Sequence, residues 1–312
     1  MPEHDYRRYL DPRVLSRISG LELRARLIVE GFFSGMHHSP HRGLSVEFAD
    51  HRAYVQGDDL RHIDWKVYGK TDKYYLKEYE QETNLDLMIV VDGSESMNYR
   101  SPGTGMSKHE YATCVAAAIT YLTLQQHDAV GLTVFDEHLR HFLRPSNHAQ
   151  HWRIIIQELS RGTGPAKTSV GRVLDELAER LGHRMLVILL SDLFDEPASI
   201  LRGFKHLRFR HHELIVWNIW DHAELQLPFQ GPVMFEGLES TGRLMIDPRS
   251  VRERYLEEVE RFLTGVRAGC GHMNVDFTVF DTSAALDAAL SGYLAARSAR
   301  LRQRTSRSMS RW

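Results

Sequence analysis

Leu85-Asp86-Leu87-Met88-Ile89-Val90-Val91-Asp92-Gly93-Ser94-Glu95-Ser96-Met97 joins a short apolar run to a small polar turn. Leu87 to Val91 is too short for a helix and carries branched residues without polar alternation. That is the pattern of a strand covered on both faces. The turn that leaves it sets a carboxylate and two hydroxyls at every second position, Asp92, Ser94 and Ser96. From a loop at a strand end, these three can point at one small volume. They are hard oxygen donors, suited to Mg²⁺ or Mn²⁺ and unsuited to soft metals.

Downstream, strands alternate with helices. A helix is expected over 107–126, with Tyr111, Val115, Ala118, Ile119 and Leu122 as its apolar stripe. Ser107 with Glu110 fits a capping box at its start. Strands are expected at 129–135, 184–190, 213–219 and 275–280, with brief ones at 138–143 and 244–246. Helices are expected at 152–159, 170–181, 197–207, 250–269 and 284–296. This alternation implies an α/β fold, a doubly wound and mostly parallel sheet of Rossmann-like type. Such sheets bind ligands beyond the carboxyl ends of their strands.

Two further features fall at that end. The strand 184–190 runs into Ser191-Asp192-Leu193, and Thr168 lies just ahead of the helix 170–181, after Gly162-Thr163-Gly164. Asp92, Ser94, Ser96, Thr168 and Asp192 would together supply five oxygen groups from three loops. Mg²⁺ wants six ligands, so at least one position stays open for water or an incoming carboxylate. Thr163 is the rival for the threonine position. By spacing alone, the same residues read equally as turn-forming serines, an N-cap threonine and a loop acid.

Upstream, Leu15, Ile18, Leu21, Ile28 and Phe32 recur near helical spacing and imply a helix over 12–34, weakened by Gly20 and Gly31. Leu44, Val46 and Phe48 then alternate with polar residues, Gly57-Asp58-Asp59 signals a turn, and Tyr74, Leu76 and Tyr79 suggest another extended segment. The expected organisation is an N-terminal helix with a small β-rich appendage over 1–83, a sheet domain over 84–296 and a tail over 297–312. Seven charges, Glu47, Asp50, Arg52, Asp58, Asp59, Arg61 and Asp64, crowd residues 47–64, with Tyr54 inside the block and Trp65 closing it. Such a mixture reads as an internal salt-bridge network. It reads alternatively as a docking surface, with Asp58, Asp59, Arg61, Asp64 and Trp65 as candidate partner contacts. Asp58 and Asp59 as an acid–base pair is the poorest reading, because adjacent turn residues rarely converge on one substrate.

Composition bounds the function. The 312 residues are 42% hydrophobic, enough for a sizeable core, and the formal net charge is −2, which argues against a whole-surface nucleic-acid binder. The balance is uneven. Arg297, Arg300, Arg302, Arg304, Arg307 and Arg311 crowd the tail with no acid among them, so the remaining body is acidic. The tail reads as disordered and as a site for nucleic acid, anionic lipid or an acidic partner face. Cys114 and Cys270 stand far apart, and the 18 histidines scatter without H-E-x-x-H spacing, so no cysteine or histidine metal site is written here. No apolar run approaches a membrane span, and the charged first residues are no secretory segment. The expected location is the cytoplasm.

The strand followed by Asp92-Gly93-Ser94-Glu95-Ser96-Met97, together with Thr168 and Ser191-Asp192, resembles the metal-ion-dependent adhesion site of von Willebrand factor type A domains. Residues 42–50 (Arg-Gly-Leu-Ser-Val-Glu-Phe-Ala-Asp) resemble the signature block of the DUF58 family, as do Arg52-Ala53-Tyr54, Gly57-Asp58-Asp59 and Arg61-His62-Ile63-Asp64-Trp65. Leu193-Phe194-Asp195 and Leu227-Pro228-Phe229 fit it too. The resemblance runs from about residue 8 to 294. It implies that Asp92, Ser94, Ser96, Thr168 and Asp192 hold Mg²⁺, with Mn²⁺ or Ca²⁺ as substitutes, and that a partner Asp or Glu fills the open position. Many relatives carry two membrane helices ahead of the block, and this chain looks like the short soluble form. The family's association with the MoxR type of AAA+ ATPase makes such an ATPase the expected protein partner, docked by a chain that is monomeric alone. The leading expectation is therefore a non-catalytic, Mg²⁺-dependent protein-binding or adaptor module. The alternative is a Mg²⁺-dependent hydrolase or phosphotransferase using the same cluster. Ser94 stands where a dehalogenase-like enzyme would need a second Asp, and the chain has no phosphate-cradling G-x-x-x-x-G-K-[ST].

Overall fold

The computed structural model describes residues 10–37, 51–53, 75–77, 86–164, 166–237, 242–287 and 290–293. The chain divides into two compact units, Met1–Gly35 with Leu85–Trp312 and Met36–Asn84. In the smaller unit, β1 (His51–Ala53) pairs antiparallel with β2 (Tyr75–Lys77), with Arg52 opposite Leu76. The expected alternation at Leu44, Val46 and Phe48 lies outside the described residues. So do the proposed docking residues Asp58, Asp59, Arg61, Asp64 and Trp65, and the basic tail.

The larger unit begins with two helices where one was expected. α1 (Pro12–Leu15) is capped by Asp11, whose carboxylate accepts from the Arg13 amide at 2.8 Å. The chain then turns through Gly20 at φ +89, a conformation that glycine adopts without a Cβ clash. Arg24 Nε donates to the Ile18 carbonyl at 2.7 Å and holds the bend. α2 (Leu21–His37) buries Ala25, Ile28, Val29 and Phe32.

The main sheet contains β3 (Asp86–Asp92), β4 (Ala129–Phe135), β5 (Leu139–Ser146), β6 (Leu186–Ser191) and β7 (Glu213–Trp220). Beyond a short antiparallel hairpin of β8 (Val233–Glu236) and β9 (Arg243–Ile246), β10 (Asp276–Asp281) completes it. The order is β10-β7-β6-β3-β4-β5, parallel throughout except for β5, which runs antiparallel along β4 at one edge. The helices are α3 (Lys108–Gln125), α4 (His151–Leu159), α5 (Val170–Arg180), α6 (Pro197–Phe209), α7 (His222–Gln226) and α8 (Pro248–His272). The fold is therefore the mixed, mostly parallel, Rossmann-like α/β sheet with flanking helices, accompanied by two separate two-stranded antiparallel sheets. α7 and β8 were not anticipated, because five and four residues are too few to show a period.

Side chains alternate across the sheet. Met88, Val90, Val187, Leu189 and Val216 face a core shared with Val173, Leu174 and Leu177 of α5, Ile200, Phe204 and Leu207 of α6, and Val266 of α8. Leu87, Ile89 and Val91 point the other way, and α3 packs on β3 and β4. The apolar stripe expected for α3 understates its burial, since Lys108, His109, Thr113, Thr120 and Thr123 are buried as well. Thr120 Oγ1 donates to the Ala116 carbonyl at 2.8 Å, and Thr123 Oγ1 shares a 2.8 Å hydrogen bond with the Tyr293 hydroxyl, so these two buried hydroxyls are satisfied internally. The capping box is present as read, with Glu110 N donating to Ser107 Oγ and Ser107 N to Glu110 Oε2. Cys114 and Cys270 are buried free thiols, which burial pushes up to about 11 and about 12, so neither is a nucleophile at neutral pH.

Beyond the carboxyl ends of the strands, Asp221 joins three segments. Its buried carboxylate accepts from the Ser101 amide at 3.0 Å, the Ala223 amide at 2.8 Å and Thr104 Oγ1 at 3.3 Å. Asp221→Ala leaves two buried amides without an acceptor and is expected to lower stability by about 2 kcal/mol in urea unfolding. A change within experimental error would show that the loop carrying Ser101 is held by other contacts.

Candidate metal centre at the carboxyl ends of two neighbouring strands

From β3 the chain crosses to β4 on one side and later returns to β6 on the other, with Val91 in register with both Val134 and Leu190. The strand order reverses between β3 and β6, the position at which sheets of this kind form a ligand crevice beyond the carboxyl ends. Asp92 ends β3, and Ser191 ends β6 with Asp192 following.

Asp92 is completely buried. Its Oδ1 accepts from the Ser94 amide at 2.9 Å, and its Oδ2 accepts from Ser191 Oγ at 2.6 Å and Thr168 Oγ1 at 3.3 Å. Ser94 caps a 3₁₀ turn over Glu95–Asn98, yet its side chain makes no capping bond. Instead Ser94 Oγ lies 3.1 Å from Ser96 Oγ. The N-cap of α5 is Ser169, so Thr168 is freed from that role, and it is Thr168, not Thr163, whose hydroxyl bonds Asp92. Backbone bonds from Gly164 N to Gly93 O at 2.8 Å and from Glu95 N to Ala166 O at 3.2 Å stitch the two loops together. Leu193 takes a left-handed φ of 56, which lets Ser191 Oγ accept from the Leu193 amide at 2.9 Å while donating to Asp92.

Asp192 is brought to the same crevice but turned differently. Its Oδ1 accepts from the Phe194 amide at 3.1 Å and its Oδ2 from Lys108 Nζ at 2.8 Å. The Lys108 ammonium also donates to Glu224 Oε1 at 2.8 Å, with its side chain 2% exposed. Burial alone would lower the Lys108 pKa, but the charges of Asp192 and Glu224 more than offset it and keep the group above the ordinary lysine value. Asp92 has no such neighbour. Burial first, and then the charge of Asp192, push its carboxyl up to about 7, against the pull of the Ser191 and Ser94 hydrogen bonds.

The sequence pointed to Asp92, Ser94, Ser96, Thr168 and Asp192, and the structure sets all five around this crevice. It did not point to Lys108 or Glu224. Their partners lie 84 and 116 residues apart along the chain, and a lysine opening a helix reads as a solvated side chain. The donor set suits a hard divalent cation, because it offers two carboxylates and three hydroxyls, one carboxylate lacking any ammonium or guanidinium among the described residues. Among those residues no group of three or more His, Cys, Asp or Glu side chains could hold a metal, so a site here must rely on hydroxyl oxygens.

The order and direction of these strands, with helices on both faces, make a Rossmann-like α/β fold of the von Willebrand factor type A-like kind. The chain belongs to the family described as protein of unknown function DUF58, whose model matches residues 50–262. An uncharacterized protein of Mycobacterium bovis is 25% identical over 244 residues, covering 76% of this chain and 75% of its own length. An uncharacterized protein of Mycobacterium tuberculosis matches to the same extent. Among solved structures, the chain is similar to BatB from Bacteroides thetaiotaomicron, at 14% identity and a TM-score of 0.41 over 68% of this chain and 99% of that one. It is also similar to the pilus adhesin SpaC from Lactobacillus rhamnosus GG, at 14% identity and a TM-score of 0.46 over 70% of this chain and 30% of that one.

Proposed function

We propose that this chain is a non-catalytic protein-binding module that depends on a divalent cation. Asp92, Ser94, Ser96, Thr168 and Asp192 would hold Mg²⁺, with Mn²⁺ or Ca²⁺ as substitutes. When bound, the ion would offer an open coordination position to an Asp or Glu of a protein partner. The observation that carries this reading is the convergence of three loops on Asp92, a buried carboxylate surrounded by hydroxyls and short of a counter-ion. Phe194 supports it from the rim of the crevice. Its amide fixes Asp192 while its ring is 65% exposed, the kind of aromatic anchor that protein interfaces bury. Among the described residues no helix is long and apolar enough to cross a membrane. The proposed partner, from the family resemblance, is a MoxR-type AAA+ ATPase, met in the cytoplasm by a chain that is monomeric alone.

Affinity capture in Mg²⁺ and then in chelator tests the reading. Wild type is expected to retain the ATPase in Mg²⁺ only, and the Ser94→Ala, Ser96→Ala double variant to retain none. Absence of an AAA+ ATPase from the metal-dependent fraction overturns the partner. Turnover of a phosphoester or nucleotide that Asp92→Ala abolishes overturns the non-catalytic assignment.

A further inference from the structure

We propose that Lys108 is a tethered counter-ion that competes with a divalent cation for Asp192, keeping the loop cluster in shape without metal and holding its metal affinity down until a partner carboxylate arrives. This rests on the metal-binding reading above and says how that site is regulated.

The ammonium is not a mobile surface group. Lys108 is the first residue of α3, and the reciprocal Ser107–Glu110 capping box fixes the backbone from which it projects. Its Nζ sits 2.8 Å from both Asp192 Oδ2 and Glu224 Oε1, and 6.0 Å from the centre of the Tyr99 ring. Glu224 is itself fixed, because its Oε2 accepts from the Asp221 amide at 2.9 Å. The two carboxylates of the crevice are therefore treated differently. Asp192 is ion-paired with a built-in cation that it shares with Glu224, whereas Asp92 meets only hydroxyls and an amide.

Two consequences follow from charge alone. First, a cluster with a cation of its own does not collapse or repel itself apart when metal is absent, since a buried anion left unpaired is what destabilises such sites. Second, a second cation entering the crevice is repelled by the first and must share Asp192 with it. A fixed unit charge within the same loop cluster shifts affinity on the order of tenfold. A partner carboxylate restores the missing negative charge, so metal and partner bind together more tightly than either does alone.

The experiment measures Mn²⁺ affinity, by the electron paramagnetic resonance of free Mn²⁺, and thermal midpoints with and without Mn²⁺. Lys108→Met removes the charge and keeps the length, and Lys108→Arg keeps the charge. Lys108→Met is expected to bind Mn²⁺ about tenfold more tightly than wild type and to gain more thermal stability from it. Lys108→Arg should stay near wild type. Asp92→Asn added to Lys108→Met should remove the gain. Should Lys108→Met fold only when Mn²⁺ is present, the metal has taken the place of the ammonium, which supports the proposal. The double variant Lys108→Met, Glu224→Gln lacks one of the two stranded carboxylates, keeps the fold readable, and should also bind more tightly than wild type. A folded Lys108→Met or double variant that binds Mn²⁺ no better than wild type overturns the proposal and leaves Lys108 a structural residue. Absence of Mn²⁺ binding from wild type and every variant alike is a different pattern, and it overturns the metal site itself.

Discussion

Gly171→Val is expected to lower the thermal midpoint by about 10 °C, the effect of roughly 3 kcal/mol in a domain of this size. The reason lies in how α5 meets α6. A Cβ on Gly171 would fall 2.1 Å from Ser199 Oγ, 2.5 Å from the Ser199 carbonyl oxygen and 2.7 Å from its carbonyl carbon. Two of those atoms are backbone and cannot rotate away, so the helices must separate. Gly203 answers from α6, where a Cβ would meet Leu174 Cβ at 2.8 Å and the Gly171 carbonyl at 3.1 Å. Separating the helices loosens Val173, Leu174, Ile200 and Phe204 together, all of which line the core. Gly182→Ala is the control. Nothing lies within 4 Å of its Cβ position, and the expected change stays within about 0.5 kcal/mol. Equal midpoints for Gly171→Val and Gly182→Ala would show that the close approach of the two helices contributes nothing.

The same contrast between local and non-local causes decides what could be read from residues alone. Leu87 to Val91 was legible because a parallel strand covered on both faces needs an unbroken apolar run. The capping box at Ser107 and Glu110 was legible because its two bonds join residues three apart. The oxygen cluster was legible as residue types at the ends of expected strands and by its resemblance to an adhesion-site motif, but not as a convergence, because that depends on the strand order that brings the ends of β3 and β6 side by side. Lys108 was not legible. Nothing near it in sequence signals that Asp192 and Glu224 will surround it, and a buried lysine is recognised by its partners. In the sequence Gly20 reads as a weakness in one helix rather than as the break between two, because the bend depends on the Arg24 guanidinium reaching back to Ile18. Gly171 carries no sequence signal for a similar reason, as its role is set by a helix that begins 26 residues later.

Asp92→Asn is expected to weaken Mg²⁺ or Mn²⁺ binding by about 100-fold and yet, without metal at alkaline pH, to make the fold no less stable. The two outcomes share one cause. The Asp92 carboxyl is raised to about 7, mainly by burial, against 3.8 when solvated. The folded state therefore holds a proton between those values that the unfolded chain has released. That proton's contribution to stability is complete below about pH 4 and is lost as pH rises through 7. Asparagine keeps the shape without the charge, and the hydroxyls of Ser191 and Thr168 can rotate to accept from its amide. The difference in thermal midpoint, variant minus wild type, should therefore grow from pH 4 to 7 and level off above about pH 8. Taking the difference cancels groups common to both proteins, such as His212, which burial lowers to about 4. Mg²⁺ should then stabilise wild type at pH 8 and close the gap, and should do little to the variant, because the cation replaces the proton that Asp92 has lost. A difference that stays flat with pH would show that Asp92 is not a strained buried anion. Equal stabilisation of both proteins by Mg²⁺ would place the metal somewhere other than at the end of β3.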